Sequence, residues 1–355
     1  MNNKTYSLFA NCILVRGVSR AIIMDLQRND YYIVPDSFLD LIIDNRVINT
    51  EDFVKISNEE RDINTSYLES LISMELIFEI DNLAELKNYP ELDTQFHYPA
   101  KISNILIDVN KKSKHDFDFL INELSFSVGC RHIQFRFFDL INEHFFSELV
   151  SLIDNSNLVS VEFIFPYESI EINRIVRLFE STLKIKVIVL SNAPENKLIH
   201  ERVQITSRVL AVTEIINSSK CCGHIHPTYF TINYETYLES VNFNSCLNGK
   251  LSITVDGEVA NCPMMKNRYG HFKKVEIGKV LSSEEFNHLW SITKDDITKC
   301  KDCEFRYMCT DCRAFLDNPS DILSGPLKCG YDPYTNVWED YSQNPLKQSA
   351  IKHYS

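Results

Sequence analysis

The sequence predicts a multi-domain α/β protein whose last third is organised by metal rather than by a large apolar core. Three observations carry that prediction. The chain has 355 residues, too many for one ordinary domain. Residues 100–219 alternate strand-like with helix-like segments. Nine of the eleven cysteines and seven of the nine glycines fall within residues 221–330. Glycine serves tight turns and close backbone approach, so that third reads as loop-rich, and the glycine-poor remainder as regular secondary structure.

The first 95 residues suggest a small domain of their own. Short apolar stretches at 12–15, 21–25 and 31–34, with the polar gap 27–30 between the last two, predict a small antiparallel sheet. Helical patterning follows at 37–43, 50–54 and 66–76, then a strand at 77–80. Three strands, three helices and a wing make a winged-helix arrangement. Its charge argues against DNA, because residues 1–98 hold 17 acidic and 8 basic residues, a net −9. An extended peptide adding a strand to the sheet edge is the better partner.

From residue 100 the pattern becomes strand 102–109, helix 116–126, strand 132–138, helix 143–153, strand 159–165, helix 170–178 and strand 184–190. Repeated βα units predict a parallel sheet or partial (β/α) barrel over 96–220. No GxGxxG or GxxxxGK[ST] is present, so neither a dinucleotide nor a P-loop nucleotide site is signalled.

Residues 221–345 carry the cysteine framework, and 346–355 form a tail. The run LSITVDGEVANC alternates apolar residues on either side of Asp256-Gly257, a hairpin signal. Counting from that turn sets Ile253 opposite Ala260 and brings Cys246 towards Cys262. The order is C-x10-G-x4-C, then Cys300-x2-Cys303-x5-Cys309-x2-Cys312, then Cys329. The chain's net charge of −13 argues against nucleic acid or an anionic membrane as partner. No apolar run approaches membrane-spanning length, and MNNKTYSLFANCILVRGVSR breaks its apolar pieces too early for a signal peptide. The expected location is therefore the cytoplasm, where clustered thiols are metal ligands more often than disulfides.

The stretches NSCLNGKLSITVDGEVANCP, CKDCEFRYMCTDCRAF and PLKCGYDPYTNVW resemble the SPASM domain, the auxiliary iron–sulfur module of many radical-SAM peptide-modifying enzymes. The Cys309–Cys312 spacing is one residue shorter than the family's. Over essentially the whole chain, the sequence resembles the SPASM-domain maturase of grasp-with-spasm systems, bacterial clusters that make ribosomal peptides (RiPPs) with an ATP-grasp ligase. The resemblance implies two clusters, commonly 4Fe–4S, with interleaved ligands. Cys246, Cys262 and Cys312 would hold the first, and Cys300, Cys303, Cys309 and Cys329 the second. Two complete cubes need an eighth ligand. Cys222 in CCGHIHP is favoured, with Gly223 allowing close approach; Cys221, His224, His226 or an open site are the alternatives.

The radical-SAM motif CxxxCxxC occurs nowhere in the chain, and the segment after the first barrel strand reads ILIDVNKKSKHDFDFL. The resemblance therefore implies a degenerate radical-SAM barrel with no SAM-cleaving cluster and no SAM expected. It also implies that residues 1–95 are a RiPP recognition element, binding the precursor's leader peptide. On this reading the protein is an accessory or non-SAM maturation factor working with the ATP-grasp ligase. An iron–sulfur enzyme acting on the peptide by redox or substrate coordination is one alternative, and a zinc-organised interaction protein another. Cys12 and Cys130 are expected as ordinary buried residues. Asp302, Glu304 and Asp311 are expected in solvated loops, Arg306 and Arg313 as surface pairs or donors to cluster sulfur, and 331–338 as an aromatic cap over the metal domain.

Overall fold

A computed structural model describes residues 4–354. The N-terminal part runs β1 (Thr5–Leu8), β2 (Cys12–Arg16), β3 (Ala21–Asp25), β4 (Asp30–Val34), α1 (Asp36–Leu39), β5 (Ile42–Ile43), β6 (Val47–Asn49), α2 (Asn58–Ser73) and β7 (Ile77–Ile80). Two antiparallel sheets result, in the orders β5-β6-β1-β7 and β2-β3-β4. Strands β2, β3, β4 and β7 lie where the sequence predicts strands. The helix predicted over 37–43 is instead one turn after Pro35, followed by β5, and 50–54 is part of a 3-10 turn. Helix α2 starts earlier than predicted because Ser57 and Glu60 form a reciprocal capping box.

The β2-β3-β4 sheet is buried on both faces. Cys12, Leu14, Ala21, Ile23 and Val34 pack with Leu68 and Leu71 of α2 and with Phe38 and Phe53. Val15, Ile22 and Met24, on the other face, pack on Phe305, Met308 and Tyr331 of the cysteine-rich third.

The middle of the chain follows as β8 (Asn104–Val109), α3 (Phe117–Asn122), β9 (His132–Phe137), α4 (Glu143–Asp154), β10 (Ser160–Pro166), α5 (Ile172–Ser181), β11 (Ile185–Ser191), β12 (Lys197–Arg202) and β13 (Ser207–Ala211). Asp116 and Asn142 cap α3 and α4 by accepting from the Phe119 and Phe145 amides. Strands β8, β9, β10, β11 and β13 are mutually parallel, and β12 closes one edge antiparallel to β13. The other edge continues into the cysteine-rich third. After α6 (Tyr234–Asn242), β14 (Lys250–Ile253) pairs parallel with β8 and antiparallel with β15 (Val259–Ala260). The eight-stranded mixed sheet has the order β12-β13-β11-β10-β9-β8-β14-β15. Helices α3–α5 cover one face, where Leu120, Phe146, Leu149, Ile175 and Phe179 bury Ile107, Phe135, Phe163 and Ile188.

The β14–β15 hairpin is offset by one residue from the predicted pairing. Ile253 stands opposite Val259, not Ala260, because Gly257 N–H closes the turn on Thr254 O and Gly257 itself takes φ +80°. The turn is centred on Val255-Asp256, with the glycine as a left-handed bulge, rather than on Asp256-Gly257. The chain ends with α7 (Ile277–Ser282), α8 (Glu284–Asn287), the small hairpin β16 (Tyr331–Asp332) and β17 (Val337–Trp338), and α9 (Gln348–Tyr354). Among the described residues no helix is long and apolar enough to cross a membrane.

Candidate metal centre

Eight cysteines gather into two sets of four. In the first, the Cys262 thiol faces Cys246, Cys222 and Cys312, and Cys312 faces both Cys246 and Cys222. Gly223, at φ +85°, lets Cys222 approach so closely that a Cβ there would stand 3.0 Å from Cys312 Sγ. Cys222, Cys312, Phe315, Leu327 and Met264 share one apolar cluster with Ala350, Ile351 and Tyr354 of the C-terminal helix. Of the alternatives for the eighth position, Cys221 turns towards Ile215 O and Asn217, while His224 and His226 line a neighbouring groove with Tyr229, Trp338 and Tyr341.

The second set lines a single cavity. Cys300, Cys303, Cys309 and Cys329 surround it together with Phe230, Phe305, Tyr331 and Trp338. Tight turns point the thiols there: Cys303 N–H bonds Cys300 O, Cys309 N–H bonds Phe305 O and Cys329 N–H bonds Pro326 O. Residues 331–338 pack as an aromatic wall of this cavity, with the Tyr331 and Trp338 rings 4.9 Å apart.

Burial pushes the thiols up. Cys246 and Cys309 rise from 9.0 to about 11 and Cys312 to about 12. In the metal-free fold these thiols keep their protons at neutral pH, so a metal that takes them as thiolates must expel protons. Four cations sit where that new negative charge would appear, each holding a cysteine carbonyl. Lys294 Nζ donates to Cys309 O, Arg306 Nη1 to Cys303 O at 2.9 Å, Lys347 Nζ to Cys329 O at 2.8 Å and Lys328 Nζ to Cys222 O at 2.7 Å. Lys294 and Lys347 are buried, which costs heavily unless charge and hydrogen bonds compensate. Sequence reading passed over these lysines; their only signal was position, beside or within the cysteine framework of an otherwise acidic chain.

Of the three carboxylates expected in solvated loops, two are differently placed. Glu304 and Asp311 are buried. Glu304 pairs with Arg20 and accepts from Tyr331 Oη, and Asp311 pairs with Arg313 at 2.7 Å and accepts from Asn244 Nδ2. Asp302 is partly buried and accepts from Tyr334 Oη. Arg313 is likewise buried, its Nη1 bound to Ile322 O and Ser324 O. The N-terminal sheet covers the loop around Glu304: Val18 N–H bonds Asp302 O, and Arg306 Nη1 bonds Arg16 O. Cys12 and Cys130 are buried in apolar clusters.

One charged pair reaches the first set from the sheet. Arg136 on β9 grips Asp108 on β8 through two bonds, Nε–Oδ1 2.7 Å and Nη2–Oδ2 2.8 Å, and both residues are buried. Ser219 Oγ donates to the same carboxylate, the Cys222 thiol donates to Ser219 O at 3.1 Å, and the Arg136 guanidinium also reaches Cys222.

Soft sulfur donors suit iron–sulfur clusters and zinc alike. Among the described residues no three His, Cys, Asp or Glu side chains converge as ligands of one metal ion would. No curated protein and no solved structure matches the chain. Residues 245–304 match the family model described as SPASM: Iron-sulfur cluster-binding domain. The match takes in Cys246, Cys262, Cys300 and Cys303 and stops short of Cys309, Cys312 and Cys329. The cysteine-rich third therefore contains a SPASM iron–sulfur cluster-binding domain.

Proposed function

We propose that this protein is a maturation factor for a ribosomally made peptide, capturing the precursor's leader and presenting its core to an ATP-grasp ligase in the cytoplasm. The observation that carries the reading is the gathering of eight cysteines into two sets of four around a SPASM domain. Cys222, Cys246, Cys262 and Cys312 hold one iron–sulfur cluster and Cys300, Cys303, Cys309 and Cys329 the other, both of the 4Fe–4S type. Residues 96–220 act as a degenerate radical-SAM (β/α) barrel without SAM chemistry, since the segment after β8 offers no cysteine. Residues 1–95 act as a winged-helix leader-recognition element. Support for a peptide there comes from β4, an edge strand whose Ile33 is 51% exposed, and from the net −9 of residues 1–98, which disfavours nucleic acid.

Titration of the leader into the full-length, anaerobically purified chain tests this reading. Saturable binding is expected, and a scrambled leader that binds equally well would overturn it. The same preparation should contain about eight iron and eight sulfide per chain, as two cubes require. Stoichiometric zinc without sulfide would replace the clusters with a structural metal.

A further inference from the structure

The two faces of the β/α sheet differ in chemistry. Ile105 and Ile107, Ile133 and Phe135, and Val161 and Phe163 point towards α3–α5 and are buried. The alternate positions on the same strands are Asn104, Leu106 and Asp108, then His132, Gln134 and Arg136, then Ser160, Glu162 and Ile164, seven of the nine polar. Parallel strands covered on both sides normally read as continuous apolar runs. Polar residues on three neighbouring strands therefore mark a face built for something other than core packing. Its C-terminal half carries the Asp108–Arg136 pair. Its N-terminal half opens into a cavity of about 720 Å³, roofed by α6 and residues 96–98. That volume lies in the range of small-ligand sites, roughly 300–1,000 Å³.

The lining has a definite charge logic. Gln134 Nε2 donates to Glu162 Oε2 at 2.8 Å and fixes that carboxylate on the floor. Glu235 and Glu239 descend from α6, with Tyr98 beside them. Phe96 and Phe243, their rings 6.0 Å apart, complete an aromatic side. Of the lining lysines, Lys101 Nζ turns out to Ser282 Oγ at 3.0 Å, while Lys250 Nζ donates to Ser245 O and sits 3.8 Å from Glu239, whose charge it offsets. Burial holds His132 below its ordinary value, so it is neutral at pH 7. Glu162 and Glu235 are thus left with aromatic rings in a concave site. A guanidinium or ammonium suits such a lining, through charge-assisted hydrogen bonds to a carboxylate and attraction to the aromatic rings.

We infer that this cavity binds a cationic side chain, arginine or lysine, of a peptide. The cationic head is argued from the lining; that a peptide carries it rests on the maturation reading above. Lys250, one wall of the site, bonds the carbonyl of Ser245 next to Cys246, so the bound residue lies beside the first cysteine set.

The test is calorimetric titration of the full-length protein with acetyl-Gly-Arg-Gly-amide and with its citrulline counterpart, which keeps the shape and removes the charge. Saturable binding of the arginine peptide, at least tenfold tighter than citrulline, is expected. Glu235→Gln, on the exposed side of α6, and Glu162→Gln should each weaken arginine binding about tenfold while iron content stays constant. Equal affinity for the two peptides, no saturation, or full affinity in Glu235→Gln would overturn the inference. Should Glu162→Gln fail to fold, the arginine-to-citrulline ratio and Glu235→Gln still decide. The leader titration is read separately: a leader that binds while the arginine peptide does not defeats this site alone. An arginine peptide that binds while the leader is not distinguished from its scramble upholds the site and defeats the maturation reading.

Discussion

The carboxylate of Asp108 and the guanidinium of Arg136 show what a single pair does at this centre. Both are buried, and removing one partner leaves the other charged in a site without water. Arg136→Met should therefore cost roughly 3–5 kcal/mol in urea unfolding, whereas the neutral double variant Asp108→Asn/Arg136→Met should recover most of that loss. The double variant also removes the guanidinium that reaches the Cys222 thiol. Hydrogen bonds and charge at cluster sulfurs set reduction potential, so of the two clusters proposed above, one should shift to a more negative midpoint while the other stays put. Redox titration followed by electron paramagnetic resonance checks this; two unshifted midpoints would remove Arg136 from the first centre.

At the scale of elements, much of the fold was legible in the sequence. Strands β8 to β11 and helices α4 and α5 follow from apolar periodicity, because each buries one face against the other. What escaped had physical reasons. Strand β12 is an edge strand with mostly exposed or half-exposed side chains, so KLIHER carries no alternation. Strands β1 and β6 are short and pair across long stretches of chain, which local pattern does not report. Ser57-x-x-Glu60 did announce the start of α2 and went unread. For the candidate centre, spacing marked the cysteines and the family resemblance divided them into two groups, but the buried roles of Lys294, Glu304 and Asp311 depend on how the loops pack, which spacing cannot encode. The tail is the clearest element-scale surprise. Its Tyr354 ring packs 5.3 Å from Phe315, and Lys347 holds the carbonyl of Cys329. Ending the chain at residue 344 should remove on the order of 1 kcal/mol for the partly buried Tyr354 ring alone. Faster proteolysis within 300–329 and reduced iron retention are the expected readouts; unchanged values of both would make the tail dispensable.

Across the whole molecule, the N-terminal sheet and the cysteine-rich third are packed as one piece. Val15, Ile22 and Met24 are at most 1% exposed because Phe305, Met308 and Tyr331 cover them. A fragment comprising residues 1–95 would present those side chains to water as one apolar face, the kind of patch that drives association. It should therefore elute as aggregate or give poorly dispersed amide spectra, and bind the leader less well than the full chain does. A monomeric, well-dispersed fragment with full leader affinity would show that the sheet stands without its cover. The interleaving of the two cysteine sets also has a consequence for assembly kinetics. Residues 262–312 separate two members of the first set and contain Cys300, Cys303 and Cys309 of the second; residues 309–329 in turn contain Cys312. Whichever set is joined first shortens the loop that the other has yet to close, and so lowers its chain-entropy cost. With a cluster in each set, as proposed above, the first inserted would act as a template for the second.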